Sequence, residues 1–308
     1  METVDCNVCA VDDSELLFEG YDRLLRGTET FRLTRCRRCG LIYLNPRPNQ
    51  AEIGEYYPAH YEPYTHDELT STWYGRLLYR VAIAKRCRIA GQTQKPGRLL
   101  DIGCGDGDFL LGMRQRGWDV YGLDPSAVAV SLAREKGLEV FQGELLDADY
   151  PEAGFDLITM WDVLEHLHDP GAQLVRVARL LKPEGRFVVT LPNPHSIDFR
   201  VFGPAWTGLD IPRHLYVFVR PALFELFRRA GLEVISARCV TGGQRVSTWS
   251  LEWLIDERVQ GEKMNSFLKG MIYSQVWYWV WRPFYFFVDL MRLGSSITYT
   301  CRRTSGIV

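Results

Sequence analysis

An apolar stretch that leads directly into closely spaced glycines most constrains what this chain can fold into. Residues 99–107 read LLDIGCGDG. Glycines at such a turn let the backbone approach a ligand closely, because they lack a side chain and tolerate left-handed backbone angles. The spacing is G-x-G-x-G after an acid, whereas a dinucleotide site prefers G-x-G-x-x-G. The segment therefore predicts a strand, a ligand-binding turn and a helix, with a spacing that departs from the dinucleotide pattern.

From residue 98 onward, short apolar stretches alternate with amphipathic ones. Such alternation favours a parallel sheet built from βαβ units. Ser126, after a proline, and Asp169, before one, are typical residues at helix starts. We expect strands at residues 98–103, 119–123, 138–142, 155–160, 186–191, 232–240 and 296–302, and helices at 73–90, 126–136, 170–181 and 221–230.

The second predicted strand ends at Asp124, and the fourth leads into VLEH at residues 163–166. A carboxylate just beyond a strand's carboxyl end can accept hydrogen bonds from both hydroxyls of a ribose. With the glycine segment, these features make residues 98–240 resemble the class I S-adenosylmethionine (SAM)-dependent methyltransferases, in the small-molecule branch that includes the ubiquinone-pathway O-methyltransferases. The resemblance implies an α/β fold with a Rossmann-like sheet and helices on both faces. It disfavours a nicotinamide or flavin domain.

The resemblance also implies which residues hold the methyl donor. Relatives often carry aspartate where Gly143 and Glu144 stand, so Glu144 as acceptor for the adenine amino group is a hypothesis, with an exposed acidic loop as the alternative. The implied contacts are Asp101, Gly103, Cys104, Gly105 and Gly107 for the methionine portion, Asp124 for the ribose, Pro125, Glu144 and Leu145 for the adenine, and Trp161 as a further cofactor residue.

The sulfonium methyl of this donor is already electrophilic, so the protein mainly has to align the acceptor and exclude water. A base helps where the acceptor is a neutral hydroxyl or amine, and histidine titrates in the useful range. His166 is the first candidate base and His214 the second, since both follow strands of the predicted sheet. Arg213 or His214 could instead contact the acceptor, with purely structural roles as the alternative.

A divalent cation is a weaker alternative at the same place. Asp162, Glu165 and His166 have the spacing i, i+3 and i+4, so their side chains share one face if the segment is helical. Some ubiquinone-pathway relatives bind magnesium with a carboxylate-x-x-Glu-His arrangement, and here aspartate takes the first place with one fewer methylene. The plainer interpretation is that Glu165 and His166 are hydrogen-bonded supports under the cofactor.

Two C-x-x-C pairs, Cys6 with Cys9 and Cys36 with Cys39, mark the N-terminal segment. Four thiolates suit one tetrahedral zinc ion, and a closed site of this kind is structural or serves recognition rather than catalysis. Short strands at 31–34 and 41–44 frame the second pair, and metal ligation would supply folding energy that so small a segment lacks. Redox-active pairs or metal-free thiols are the alternatives.

An insertion at 241–294, before the last predicted strand, is dense in aromatic residues. Trp and Tyr favour the headgroup region of membranes, so residues 271–293 could make peripheral membrane contact. A homodimer interface or a cover over the active site is the alternative. A membrane-spanning helix needs about 20 mostly apolar residues, and Gln275, Arg282, Pro283 and Asp289 interrupt this stretch.

The formal charge of −2 gives no basic field that would hold a polyanion, so nucleic acid is disfavoured as a partner. No secretory signal is recognisable and the remaining cysteines are scattered, so we expect a cytoplasmic protein, with a peripheral membrane location as the alternative. The predicted domains are a zinc ribbon at 1–45, a linker with a helical cap at 46–95 and the SAM-binding domain at 96–308.

The leading functional hypothesis is methylation of a small-molecule or glycan acceptor, with O-methylation favoured. Methylation of a quinone or another prenyl lipid at the membrane surface is the second hypothesis, supported by the aromatic insertion and by the segment around His166. A hypothesis of a different class is an interaction module, in which the zinc ribbon reads protein or RNA on a methyltransferase scaffold. The glycine segment and Asp124 are both intact, which argues against a methyltransferase fold that has lost the ability to bind the methyl donor.

Overall fold

The structure, a computed structural model, describes residues 1–57, 71–92, 94–239 and 243–304. The chain divides into two compact units. The sheet unit comprises residues 57–190, 224–237 and 299–308, and the ribbon unit comprises residues 1–56, 191–223 and 238–298.

A seven-stranded sheet with the order β10-β11-β8-β7-β4-β5-β6 organises the sheet unit. The five strands from β8 to β6 in this order pair in parallel, as the alternating sequence pattern predicts. The predicted Rossmann-like sheet is therefore confirmed. The strands are β4 (Arg98–Ile102), β5 (Asp119–Asp124), β6 (Glu139–Gln142), β7 (Phe155–Trp161), β8 (Leu181–Pro192), β10 (Leu232–Arg238) and β11 (Ser296–Arg303).

The helices that accompany this sheet are α1 (Trp73–Gly91), α2 (Asp108–Arg114), α3 (Ala127–Glu135), α4 (Pro170–Leu180) and α6 (Arg220–Arg229). Ser126 caps α3 by accepting a hydrogen bond from the backbone N–H of Ala129 at 3.3 Å, and Asp169 caps α4 through Ala172 at 2.9 Å. Both predicted helix starts are confirmed, because each side-chain oxygen satisfies an otherwise unpaired N–H of the first turn.

Strand β8 begins earlier than predicted. The expected start was residue 186, yet Leu181 already pairs with Phe155, and after an irregularity in register Arg186 pairs with Leu157. The prediction of a loop at 182–185 is wrong, since α4 passes into the strand without one and the irregularity accommodates the proline-containing segment.

A four-stranded sheet with the order β1-β2-β3-β9 lies in the ribbon unit. Its antiparallel strands are β1 (Ser14–Tyr21), β2 (Thr30–Cys36), β3 (Ile42–Leu44) and β9 (Tyr216–Val217). The core beneath it is built from Phe31, Leu33, Ile42, Leu44, Trp206, Leu209, Ile211 and Val217. This division differs from the predicted boundaries at 45 and 95, because β9 completes the sheet and residues 206–217 supply half of its core.

The helices of the ribbon unit are α5 (Ile197–Phe202), α7 (Gly243–Arg258), α8 (Glu262–Ile272) and α9 (Gln275–Leu290). Helices α5, α8 and α9 all pack against α7, and α8 also contacts α9. The predicted helical insertion before the last strand is confirmed. None of the helices that the structure describes combines the length and the hydropathy needed to cross a bilayer.

Candidate functional site

The glycine-rich turn after β4 has a backbone conformation that requires glycine. Gly103, Gly105 and Gly107 have φ angles of 71°, 55° and 81°, in the left-handed region that side chains disfavour. The backbone N–H groups of Gly103 and Cys104 donate to the carbonyl of Leu123 at 2.8 and 3.0 Å. The turn is therefore held against the end of β5.

The three glycines differ in what surrounds them. A Cβ at Gly103 would lie 2.5 Å from Val163 Cγ2, and a Cβ at Gly107 would lie 2.3 Å from Leu138 Cδ1. A Cβ at Gly105 would meet no described atom within 4 Å. Gly103 and Gly107 therefore permit close packing inside the protein, whereas Gly105 borders open space where a ligand can approach the backbone.

Asp101 lies in β4 with only 2% of its surface exposed. It pairs in register with Thr159 of β7, and the Thr159 hydroxyl donates a hydrogen bond of 2.6 Å to its carboxylate. Burial raises the pKa of Asp101 to about 8, although the bond from Thr159 and the charge of Arg86 act in the opposite direction. A cation placed beside Asp101 would favour its charged form.

Asp124 ends β5 and joins the glycine turn to the start of α3. Its two carboxylate oxygens accept hydrogen bonds from the backbone N–H groups of Gly105 at 3.0 Å and Ser126 at 2.9 Å. Burial raises the pKa of this carboxyl, against the effect of these two bonds. A carboxylate has about four acceptor positions, so Asp124 retains capacity for the hydroxyls of a ligand.

Arg86 of α1 is a site residue that sequence reasoning missed. Its guanidinium donates to the Asp162 carboxylate at 3.1 Å and lies 5.3 Å from the ring centroid of Trp161. Its charge also lowers the pKa of Asp101. The sequence offers no spacing rule that links a residue on α1 to the glycine turn. Only the fold therefore shows that the Arg86 guanidinium lies near the carboxylates of Asp101 and Asp162.

Trp161, at the end of β7, is 6% exposed and meets Phe109 edge to face, with 5.3 Å between ring centroids. Its indole nitrogen is buried and has no hydrogen-bond partner in the described part of the chain. Buried N–H groups are normally paired, so this donor fits a group supplied by a ligand. The structure thus places a hydrogen-bond donor, the indole N–H of Trp161, close to Arg86.

The residues implied for the adenine lie around the ends of β5 and β6. The backbone N–H of Gly143 donates to the carbonyl of Asp124 at 3.1 Å, which fixes the segment containing Glu144 beside that strand end. Pro125 is exposed, Glu144 is half-buried and Leu145 is buried. This brings a carboxylate and an apolar side chain to the strand end that carries Asp124.

Cys104 is buried in the core cluster of the sheet unit, and this burial raises the pKa of its thiol. A Cβ at Gly122 would lie 2.8 Å from the Cys104 sulfur, so the two residues pack closely. The side chain therefore fills space beneath the turn. Cys104 therefore contributes its backbone, and not its side chain, to the glycine-rich turn next to Gly105.

The segment after β7 is not an α-helix. Residues Leu164–His166 form a single 3₁₀ turn, and Asp162 has a left-handed φ of 58° with its carboxylate on Arg86. The condition under which Asp162, Glu165 and His166 would share a helical face is therefore not met, and these three do not gather as a set of metal ligands among the described residues. The structure therefore does not support the alternative in which Asp162, Glu165 and His166 together bind magnesium.

His166 is half-buried, and its Nδ1 lies 3.0 Å from the hydroxyl of Tyr57. In the tautomer whose Nδ1–H donates to Tyr57, Nε2 is the basic nitrogen of the ring. Glu165 beside it is completely buried. This geometry is compatible with the predicted base.

The second candidate histidine belongs to the ribbon unit. His214 Nδ1–H donates to the Gly208 carbonyl at 2.9 Å, which leaves Nε2 as its basic nitrogen. The neighbouring Arg213 is 0% exposed and donates to the carboxylates of Asp22 and Asp210 at 2.8 to 3.1 Å. The suggestion that Arg213 contacts the acceptor is wrong, because its guanidinium is buried between two carboxylates.

The four N-terminal cysteines form a compact cluster in the ribbon unit. The sulfur atoms of Cys6, Cys9, Cys36 and Cys39 all lie within 4.8 Å of one another, and none is in a disulfide. The two pairs have matching turns, since the N–H of Ala10 donates to the Cys6 carbonyl at 2.7 Å and that of Gly40 donates to the Cys36 carbonyl at 2.9 Å. Four thiols arranged in this way fit a tetrahedral metal site.

Comparison with known proteins places this geometry in context. A family model described as "Methyltransferase domain" matches residues 74–237. Two relatives named ubiquinone biosynthesis O-methyltransferase are similar to the chain. The protein from Alkalilimnicola ehrlichii is 34% identical over 43% of this chain and 58% of its own length, and that from Azoarcus sp. is 36% identical over 50% and 70%. The match with the first relative thus spans less than two thirds of that protein.

Among solved structures, a SAM-dependent methyltransferase from Thermotoga maritima is similar with a TM-score of 0.50. It shares 18% sequence identity, and the match covers 79% of this chain and 98% of that protein. At this level of identity the likeness concerns the fold.

Proposed function

The chain belongs to the methyltransferase-domain family and is a SAM-dependent methyltransferase; from this premise we propose that it O-methylates a small-molecule or glycan acceptor. One observation carries the proposal. Two buried carboxylates, Asp101 and Asp124, lie at adjacent strands beside Gly105, the turn residue that borders open space. A ligand that combines a cation with a ribose matches this pair.

The donor would be held by complementary charges. Asp101 accepts hydrogen bonds from the methionine ammonium group, and Asp124 accepts them from the ribose hydroxyls. Arg86 and the Trp161 indole N–H donate hydrogen bonds to the methionine carboxylate. Glu144 accepts the adenine amino group, with Leu145 and Pro125 beside the ring. The ammonium, the carboxylate, the ribose and the adenine amino group of the donor thereby each have a partner of opposite charge or matching hydrogen-bond type.

The donor supplies the electrophilic methyl on its sulfonium. The residues of the chain align the acceptor oxygen with that methyl in line with the sulfur and exclude water. His166 takes the hydroxyl proton at Nε2, with Tyr57 fixing the ring through Nδ1. His214 stays the second candidate base.

Zinc is the metal we propose for the cysteine cluster. The set of four soft sulfur ligands with no open position suits a structural zinc ion, which would join the two knuckles that precede β1 and follow β2. Its function is to stabilise the fold of the ribbon unit.

A second candidate function is methylation of a quinone or prenyl-lipid hydroxyl. The names of the relatives support this acceptor class, and so do the exposed aromatic residues of α9. Both candidates use the same donor site and the same base. They differ only in the acceptor.

The experiment uses the full-length chain, radiolabelled SAM and a fractionated cell extract. We expect label in low-molecular-weight material or glycan, and no label with Asp124→Ala. The control is Asp147→Ala, which removes an exposed acid from the loop after β6. Label in the lipid fraction selects the second candidate, and label in protein or RNA contradicts both.

A further inference from the structure

Helix α9 turns an apolar face outward. Successive residues of a helix are about 100° apart, so eight exposed apolar residues of α9 lie within an arc of roughly 160°, and a ninth, Trp281, is 38% exposed and lies outside it. No charged residue lies in this arc. Its members are Val276, Trp279, Val280, Pro283, Phe284, Phe286, Phe287 and Leu290.

The two charged residues of α9 lie on the other side of the helix. Arg282 lies with its guanidinium 5.8 Å from the ring centroid of Tyr278, and Asp289 is half-buried near Gly243 and Gly294. Val288 on that side is 3% exposed, whereas Val276 is 72% and Leu290 69% exposed. This is the reverse of a normal surface helix, whose polar face meets water.

Neighbouring helix α8 repeats the pattern. Met264, Phe267 and Met271 are all exposed, at spacings of three and four residues along one side of the helix. Large apolar side chains exposed together on neighbouring helices are typical of a contact surface in a folded protein. Helices α8 and α9 pack against one another, so both belong to one structural element.

The exposed charges near this surface are mostly positive. Lys263, Arg282 and Arg292 are exposed, against Glu262 as the exposed acid between residues 262 and 292. Lys269 is paired within 3.1 Å of carboxylates on α7. The whole chain has a formal charge of −2, but this segment has a local excess of exposed positive charge. Its charge is therefore complementary to an anionic surface.

The side chains in the arc distinguish a lipid from a protein partner. Protein interfaces carry about one hydrogen bond per 100–200 Å². The outward arc of α9 offers one side-chain hydrogen-bonding group, the indole N–H of Trp279, over a helix of 16 residues. Hydrocarbon requires no such bonds, and an indole at the edge of the arc suits the headgroup region.

We propose that α9 lies flat in the interface of an anionic bilayer. The outward arc inserts among the acyl chains, and Arg282 and Arg292 interact with phosphate groups at the headgroup level. This attachment is independent of which acceptor the enzyme methylates, and of whether the proposed donor site is correct.

Vesicle flotation of the full-length chain tests this proposal. We expect the wild type to float with vesicles of phosphatidylcholine and phosphatidylglycerol, and about fivefold less for each of Arg282→Glu and Arg292→Glu. The double variant Val280→Glu/Phe287→Glu should lose more than about tenfold in partitioning, because it places two charges at the centre of the apolar arc.

Val201→Glu is the matched control, since Val201 is 67% exposed on α5 and lies outside the arc. It should float like the wild type. Both substituted residues are exposed, so the double variant is expected to fold, and circular dichroism checks that it does. A folded wild type that does not float, or a folded double variant that floats equally well, overturns the proposal. A wild-type dimer that Val280→Glu/Phe287→Glu makes monomeric, without flotation of either, overturns it in favour of a second copy of the chain.

Discussion

Both compact units bury acidic side chains, yet they treat them differently. In the sheet unit, burial raises the pKa of Asp101 to about 8, and the strand that contains it leads to Gly105, which borders open space. In the ribbon unit, burial raises the pKa of Asp198 to about 6, but two serine hydroxyls of the same unit donate to its carboxylate. Under the proposed function the first acid receives a ligand, while the second stays hydrogen-bonded to side chains of its own unit.

The same contrast extends to the other polar groups of each unit. Arg86 and the Trp161 indole lie near Asp101 with hydrogen-bonding capacity that a ligand can use. Arg213 is instead fully buried between carboxylates, and the four cysteine sulfurs lie within 4.8 Å of one another. Under the proposed function, Asp101, Arg86 and Trp161 of the sheet unit bind the donor, whereas Arg213 and the cysteine cluster stabilise the ribbon unit.

Removing a proposed zinc ligand should have the largest effect. Cys36→Ser should abolish the single equivalent of zinc and unfold the ribbon sheet, since a structural zinc contributes on the order of 10 kcal/mol. Metal content by mass spectrometry and thermal unfolding measure both results. Cys239→Ala changes a buried cysteine outside the cluster and should retain the metal. Equal metal content in Cys36→Ser and the wild type would rule the site out.

Loss of the Asp101 charge should have the next largest effect. Asp101→Asn should weaken SAM binding by about 10- to 100-fold at pH 8, since a hydrogen bond to a charged group is worth roughly 1.5–3 kcal/mol. Asp198→Asn should leave the affinity unchanged. Calorimetric titration of both variants checks this comparison, and equal losses would contradict it.

The pKa of Asp101 also predicts how affinity depends on pH. Below about pH 8 the empty site holds Asp101 protonated, and the ammonium of the donor needs the carboxylate, so binding releases a proton. Affinity should rise by up to about tenfold per pH unit from pH 6 towards pH 8. Titrations in buffers of different ionisation enthalpy measure the released proton. An affinity that falls over this range would contradict the assignment.

Asp198 predicts a smaller effect on stability. Its pKa rises from 3.8 to about 6 on folding, so the folded state favours the protonated carboxyl, and this contribution is fully present below pH 4 and lost as the pH rises through 6. The difference in unfolding free energy between the wild type and Asp198→Asn should fall by about 3 kcal/mol over that window. Denaturant titrations at several pH values test it, and a constant difference would count against it.

Local signals in the sequence were sufficient for most of the sheet unit. The strand before the glycines, Asp124 and the caps at Ser126 and Asp169 follow from rules that act within a few residues, and the structure has them as expected. The start of β8 was predicted too late, because its pairing with Phe155 depends on a strand far away in sequence.

Features that depend on distant contacts could not be read from the sequence. The two-residue strand at Tyr216–Val217 pairs with β3, more than 170 residues earlier, and neither residue signals that partner. Arg86 reaches Asp162 across 76 positions. The aromatic density of α9 was evident in the sequence, but which side of the helix faces outward depends on how it packs against α7.

Calorimetric titration of SAM into the full-length protein tests the central claim most directly. Binding of one donor per chain is expected for the wild type and for Asp147→Asn, in which an exposed acid is changed. Asp124→Asn should bind at least about tenfold more weakly, because the amide has lost the charge that its hydrogen bonds to the ribose require. A wild type that binds no SAM, or an Asp124→Asn variant with wild-type affinity, would contradict the placement of the donor at the ends of β4 and β5.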